Sequence, residues 1–361
     1  MKIIHTADVH LGSKIESKLP KDKSDIRKAE VRQAFNNMVE YAIQNDISII
    51  MISGDLFDST RPLKKDKEFF YNVVRNNLDI EFIYLRGNHD CFEDETGGSL
   101  ANLKMFTDKW RIYTYDGDGE EIITISGIEV LSDSENDNNQ NELLYGLQLD
   151  AKNKNIVMLH GMAEKFAEIK EKNIDYMALG HRHKFTEVPV NMRVSANIRG
   201  KAFYSGCLEG RGFDEVGVKG FVVIDTDKMS VDFVENSIRV IEEFSVDISE
   251  TKDSYEAYKK VKETVNANSK NICIINLCGQ ITFDGLYIKE DVAEYLKEDY
   301  FFVYVKNNTT EKIDFLKLAE ENTLKGEFVR TVLANKNYSE KQKERIVSVG
   351  LKAFDGQEAI K

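Results

Sequence analysis

Within its first 183 residues the chain repeats one pattern, a short apolar run that stops on a cluster of Asp, His, Asn and Gly. Lys2-Ile3-Ile4-His5-Thr6 leads into Asp8-Val9-His10-Leu11-Gly12, and Ile47 to Ile52 leads into Gly54-Asp55-Leu56-Phe57-Asp58. Ile80 to Leu85 ends on Gly87-Asn88-His89-Asp90, Asn155 to Leu159 on His160-Gly161, and Ile174 to Leu179 on Gly180-His181-Arg182-His183. Continuous apolar runs of this length are typical of strands covered on both faces. Between the first two, over 25–45, Val31, Ala34, Phe35, Met38, Val39, Ala42 and Ile43 recur at the three-and-four spacing of an amphipathic helix. A second helix is predicted over 62–77, with Pro62 near its first turn. Residues 1–90 therefore read strand, helix, strand, helix, strand, the signature of a layered α/β domain with parallel crossovers.

The later chain is organised differently. A turn at Asp116-Gly117-Asp118-Gly119 separates short strands, Ser132 to Asn141 is a wholly polar loop, and a helix is predicted over 163–172. Residues 201–236 alternate apolar and polar, as in Phe221-Val222-Val223-Ile224 and Val231-Asp232-Phe233-Val234, which predicts a second sheet packed on the first. Near 240 a small histidine-free α/β unit begins, with strands at 244–248, 271–278 and 301–305 and helices at 251–266 and 289–297. From 313 the pattern is helical. Leu324, Phe328 and Val332, then Ile346, Gly350 and Phe354, form i, i+4 stripes that suit a partner-binding face and ordinary helix packing equally. The expected divisions are 1–240, 241–310 and 311–361.

The net charge is −13, so the chain lacks the basic footprint of most nucleic-acid binders. Carboxylates that hold divalent metals inflate that sum. The charge is also uneven, since residues 312–361 hold ten Lys/Arg and eight Asp/Glu and are net +2. Cys91, Cys207, Cys273 and Cys278 include no CxxC and read as free thiols of a reducing compartment. Strand-like sequence from Lys2 leaves no room for a leader, and no apolar run approaches the ~20 residues of a membrane span. A cytoplasmic protein with no membrane partner is expected.

All six histidines, His5, His10, His89, His160, His181 and His183, lie within the first 183 residues, and five directly follow predicted strands. His5 sits inside its strand, where burial with one hydrogen bond is expected. Asp8/His10 and His181/His183 are i, i+2 pairs, which extended backbone would point the same way. Asp55 and Asn88 end neighbouring strands. Two carboxylates, an amide oxygen and four imidazoles suit manganese, iron or zinc better than calcium. Seven ligands are too many for one tetrahedral ion and fit two ions ~3.5–4 Å apart. Such a pair activates water near neutral pH and neutralises phosphoryl charge during in-line displacement. His89 is the candidate to assist the leaving group, with Asp90 expected to orient its ring. Asp58 reads as an anchor for a ligand or as a loop cap. Arg61, Lys64, Lys65, Arg86, Arg193 and Arg199 read chiefly as surface charge, while Arg182 and Arg211, inside glycine-bounded stretches, are the preferred DNA-phosphate contacts.

The ordered set D-x-H, G-D, G-N-H-D, H-G and G-H-x-H resembles the calcineurin-like metallophosphoesterase superfamily over residues 1 to about 235. The resemblance implies a four-layer β-sandwich flanked by helices. It implies one metal position at Asp8, His10, Asp55 and His183, a second at Asp55, Asn88, His160 and His181 with Asp55 bridging, and His89 at the leaving group. Asp8-Val9-His10-Leu11-Gly12 and Gly54-Asp55-Leu56-Phe57-Asp58 are similar to SbcD-type DNA repair exonucleases, as are the stretches Ser205 to Glu215 and Leu324 to Arg330. That narrower resemblance implies a metal-dependent exo/endonuclease acting on DNA in double-strand break repair, with two divalent ions. Manganese is expected, with magnesium, iron or zinc as alternatives. It further implies a DNA-capping domain at about 242–310, C-terminal helices docking on an SbcC-like coiled-coil ATPase, and a homodimer. The chain has no G-x-x-x-x-G-K-[ST] loop, so any ATP use falls to a partner. The alternatives are a phosphodiesterase for small molecules such as cyclic nucleotides and a non-catalytic scaffold.

Overall fold

A computed structural model describes residues 1–90, 100–117, 119–129, 146–162, 173–189, 200–265, 270–312 and 314–354. The helix expected over 163–172, the Ser132–Asn141 loop, Cys91, Arg193 and Arg199 lie outside the described residues. Two units, Met1–Glu242 and Glu243–Lys361, divide the chain.

The first unit runs β1 (Lys2–Thr6), α1 (Lys21–Gln44), β2 (Ile49–Ser53), α2 (Lys64–Asn76), β3 (Glu81–Leu85), β4 (Leu103–Met105), β5 (Arg111–Asp116) and β6 (Ile122–Gly127). It continues with β7 (Lys154–His160), β8 (Tyr176–Gly180), β9 (Thr186–Glu187), β10 (Lys201–Tyr204), β11 (Gly220–Asp225) and β12 (Ser230–Glu235). One six-stranded sheet has the order β12-β11-β1-β2-β3-β4, and the other β5-β6-β7-β8-β10-β9. β1, β2 and β3 are parallel neighbours, as are β6, β7 and β8.

The sheets pack face to face. Ile3, Met51, Ile83, Val222 and Ile224 of the first meet Ile125, Ile156, Met158, Tyr176 and Phe203 of the second in one buried cluster. Period-two alternation sends Val157, Leu159, Met177 and Leu179 to the opposite face of the second sheet, where they are buried as well. Each such aliphatic side chain contributes about 1.5–3 kcal/mol. The outer face of the first sheet is covered by α1 and α2, with the Phe70 ring 6.0 Å from Phe35 and 5.9 Å from Tyr84, and Tyr41 5.2 Å from Phe221. The apolar stripe of α1 is buried as predicted from Val31 to Ala42, while Ile43 is exposed.

One expectation is corrected here. The strands of 220–235 do not belong to the second sheet. β11 pairs antiparallel with β1, from Lys2 opposite Asp225 to His5 opposite Val222, and extends the first sheet. The second sheet is built instead from 111–204. Alternation reports which faces are buried and carries no information on which strand is the neighbour.

His5 is fully buried between the sheets, its Nδ1 2.9 Å from the Tyr176 hydroxyl. Burial pulls its pKa down to about 3, against a weaker opposing hydrogen bond to the Leu179 backbone. The unfolded chain therefore takes up a proton near pH 6.5 that the folded chain refuses, and stability falls as pH drops below that value. Between pH 6.5 and 5 the expected loss from this residue is about 2 kcal/mol. Urea denaturation of the metal-free protein at pH 7.5 and 5.0 should show a smaller drop for His5→Gln than for wild type. Equal drops would refute the assignment.

The second unit's sheet has the order β13 (Ile241–Asp247), β14 (Ile272–Cys278), β16 (Phe302–Asn307); α3 (Ser254–Thr264) and α4 (Ile288–Leu296) pack on it, and β15 (Gln280–Ile281) pairs with β17 (Thr310–Glu311). Val246, Val261, Ile275, Leu277, Val292 and Leu296 form its core. Three helices follow, α5 (Phe315–Glu320), α6 (Leu324–Ala334) and α7 (Glu340–Phe354), around Val329, Val332, Val347 and Leu351. Cys207, Cys273 and Cys278 are free thiols. Among the described residues no helix is long and apolar enough to cross a membrane.

Candidate metal centre

The predicted ligands sit at the C-terminal ends of parallel strands, where an open α/β sheet presents its chemistry. Asp8 and His10 follow β1, Asp55 follows β2, Asn88 follows β3, His160 ends β7, and His181 and His183 follow β8. The rims of the two sheets meet there. The His181 backbone N–H donates to both Asp8 carboxylate oxygens at 3.0 Å, and His160 Nδ1 lies 2.9 Å from the Ser53 carbonyl.

Asp8 and His10 converge with His183, but not through extended backbone, and the His181 ring lies 5.5 Å from that of His160. Asp8, His10, Asp55 and His181 have φ of 52°, 50°, 52° and 103°, four of the seven non-glycine residues with positive φ among those described. Each such residue costs roughly 1–3 kcal/mol and persists only where its surroundings over-determine it. Here the β1 and β2 loops hold each other: Asp8 N–H donates to the Gly54 carbonyl (3.0 Å), His10 N–H to Asp55 (2.9 Å) and Leu11 N–H to Leu56 (2.8 Å). Gly87 lets Asp55 come close, because a Cβ there would lie 2.2 Å from Asp55 Oδ1.

At the centre, His10 Nε2 and His183 Nε2 are 3.2 Å apart. Asp55 Oδ2 lies 3.7 Å from His10 Nε2 and 3.4 Å from His160 Nε2, which is itself 3.1 Å from Asn88 Oδ1. Ligand atoms of Asp8, His10 and His183 group within 4.8 Å of one another, and so do those of Asp8, Asp55 and His160. The far nitrogens have acceptors: His10 Nδ1 is 2.9 Å from Asp58 Oδ1, His183 Nδ1 is 2.7 Å from Glu215 Oε1, and His160 Nδ1 faces Ser53. An oxygen there favours the tautomer with its proton on Nδ1, which turns the Nε2 lone pair inward. Two lone pairs facing across 3.2 Å repel unless a proton or a metal ion lies between them. The donor set therefore fits divalent transition metals on this structure's own geometry.

The charges agree. Burial opposes ionisation of Asp55, yet its hydrogen bond and charge pairing with His160, and then His10, hold its carboxyl well below the usual range. Burial likewise opposes protonation of His160, and Asp55 outweighs it, lifting the pKa to about 9. His181 is pushed down by burial and then by the nearby charge of His160.

His89 lies on the exposed rim. Its backbone N–H donates to Asp55 Oδ1 (3.0 Å), and its ring is 5.3 Å from that of His10. Asp90 departs from expectation. Its fully buried carboxylate accepts from the backbone N–H groups of Leu56 (2.8 Å) and Phe57 (2.7 Å), so it braces the loop behind Asp55 instead of orienting the His89 ring. Burial, then the Asp55 charge, pushes its pKa up to about 7. Arg211 is corrected as a DNA contact, because its buried guanidinium is spent on Asp58 (3.3 Å) and Glu215 (2.6 Å). Arg182 lies 5.0 Å over the Tyr204 ring. Asp58 proves to be the anchor of His10. Glu215 was not singled out from sequence, where the glycine-flanked run Gly210 to Glu215 was the one available signal.

A model of the calcineurin-like phosphoesterase family matches residues 1–185, just over half of the chain, and the chain belongs to that family. Families of this kind use a dimetal centre, and the clustered Asp and His groups are its candidates here. Among individual relatives, the DNA double-strand break repair protein Mre11 of Methanosarcina acetivorans is 25% identical over 62% of this chain and 36% of its own length. The chain thus spans little more than a third of that relative. Mre11 of Sulfurisphaera tokodaii is 24% identical over all of this chain and 95% of that protein. The uncharacterized metallophosphoesterase YhaO of Bacillus subtilis is 24% identical over 76% of this chain and 70% of that protein.

Proposed function

We propose that the chain is a metal-dependent phosphodiesterase that cleaves DNA, a nuclease of the SbcD and Mre11 kind. The observation that carries the reading is the inward pair of Nε2 atoms at 3.2 Å, beside an Asp55 shared with His160. Asp8, His10, Asp55 and His183 would hold one ion, and Asp55, Asn88, His160 and His181 the other, manganese being the preferred metal. When bound, the ions would supply an activated water and offset phosphoryl charge. His89, exposed at the rim, would then donate a proton from its ring to the leaving oxygen. Asp90 and Asp58 hold the loop and the ligand behind that chemistry. Arg182 remains the candidate phosphate contact.

The names of the Mre11 relatives favour DNA over a small ester. The second unit favours it as well, since a small-substrate enzyme has no use for a further sheet and bundle. In this reading 241–310 caps DNA and 311–361 docks an SbcC-like coiled-coil ATPase. The apolar groove of about 530 Å³ lined by Phe328, Tyr338, Ile346 and Val349 is the candidate docking face. A homodimer in the cytoplasm completes the proposal.

The test sets single-stranded DNA against a cyclic nucleotide with manganese-loaded protein. DNA hydrolysis whose substrate binding weakens steeply with salt is expected. Preference for the cyclic nucleotide would reverse the reading, and no hydrolysis of either would revive a scaffold. His89→Gln should keep its manganese and lose about 10²–10⁴-fold in rate. Loss of metal instead would make His89 a ligand.

A further inference from the structure

Behind His10 and His183 the structure closes an arch of charge. Asp58, from the loop after β2, meets His10 Nδ1, and Glu215, from the loop after β10, meets His183 Nδ1. Arg211 spans the two. Its Nη1 is 3.3 Å from Asp58 Oδ1, and its Nη2 is 2.6 Å from Glu215 Oε1 and 3.0 Å from His183 Nδ1, so two donors converge on one carboxylate oxygen. The Arg211 backbone N–H donates to the other Glu215 oxygen at 2.6 Å. The side chains of Arg211 and Glu215 are only 10% and 6% exposed.

We infer that Asp58, Arg211 and Glu215 act as one positioning unit, which holds the imidazoles of His10 and His183 for a single metal position and does not touch the substrate. The inference rests on the metal-centre reading above.

A carboxylate on Nδ1 sets the ring's tautomer and rotation and raises its basicity as a ligand. Two carboxylates brought behind one site repel each other, and the guanidinium between them leaves the group at a net charge of −1. Only a planar fork reaches both partners, since a lysine offers a single point of charge. Burial opposes ionisation of Glu215, yet its bonds with His183 and Arg211 hold its carboxyl below the usual range.

The unit has a rigid base. Arg27, on the buried face of α1, donates to Glu209 and to the Gly210 carbonyl, both at 2.5 Å. Glu209 also accepts from the Ile238 backbone at 2.6 Å, and the Glu16 N–H donates to the Arg211 carbonyl at 3.0 Å. These ties fix the loop that carries Arg211 and Glu215. At His160, by contrast, the outer nitrogen faces the neutral Ser53 carbonyl and not a carboxylate.

The test is a manganese titration of the full chain, stripped of metal by chelation and followed by calorimetry. Wild type should bind two equivalents. Arg211→Gln and Glu215→Gln should each weaken one equivalent about 10–100-fold and leave the other at wild-type affinity. Arg211→Lys should behave like Arg211→Gln, and the Arg211→Gln/Glu215→Gln double variant should lose little more than either single one. Thermal melts of the metal-free variants report their fold. Variants that match a two-site wild type would overturn the inference alone. Loss of both equivalents together with a lowered metal-free melting point would also overturn it, in favour of a purely structural role. A wild type that binds no manganese would sink the metal-centre reading, and the inference with it.

Discussion

Asp55→Asn is expected to weaken both metal positions and to slow phosphodiester hydrolysis by about 10³-fold or more, equivalent to about 4 kcal/mol of lost transition-state stabilisation. Asn is nearly isosteric, and its side-chain oxygen can still accept the His89 N–H that Asp55 accepts at 3.0 Å. What disappears is a carboxylate that lies within 4 Å of both His10 and His160. The backbone should not suffer, since Asp55 adopts φ 52°, a conformation that asparagine tolerates as well as aspartate. The charge pairing with His160 and His10 is lost, however, and it outweighs the relief of repulsion on Asp90. The metal-free Asn variant should therefore fold but melt below the metal-free wild type at neutral pH. Elemental analysis, a cleavage assay and paired melts separate the outcomes. A variant that keeps two ions and full rate would end the case for a bridging carboxylate.

Gly180→Ala is expected to damage fold and centre together. The Cβ would lie 1.9 Å from the Ser53 carbonyl oxygen, which is backbone and cannot rotate away, and 2.7 Å from His160 Nδ1. The same carbonyl orients His160. Overpacking against main chain between the two sheets should cost at least about 2–3 kcal/mol. In a unit of this size that is a fall of about 5–10 °C in Tm. Metal should be lost before the protein unfolds, because the displaced groups are a ligand and its acceptor. A thermal melt and a manganese titration on the same sample decide the matter. A variant with wild-type Tm would refute the close approach of Gly180 to the Ser53 carbonyl.

The two substitutions probe different kinds of information. Every proposed ligand was legible as a residue type at a strand end, and the strand–helix order of 1–90 appears in β1, α1, β2, α2 and β3 with shifts of a few residues. His5 was legible as a buried, singly bonded histidine for the same reason, since it sits inside a run instead of beyond it. The roles of Asp90 and Arg211 were not. Both lie inside motif stretches, and both turn out to be braces: Asp90 on the amides of Leu56 and Phe57, Arg211 on Asp58 and Glu215. A place in a motif does not tell whether a charged group faces the centre or supports it from behind.

The amino-acid order by itself determined what each segment must bury and where its polar groups collect. Apolar period is a local property of the chain, and it sets strand or helix whatever the neighbours are. Only the tertiary structure decided which strands are adjacent, and so placed 220–235 beside β1. Only there do Asp58 and Glu215 come to share one guanidinium. Backbone hydrogen bonds are the same for every pair of strands, and a buried charge accepts any opposite partner within reach. Those choices are made by packing the whole unit at once, which no single stretch of the chain encodes.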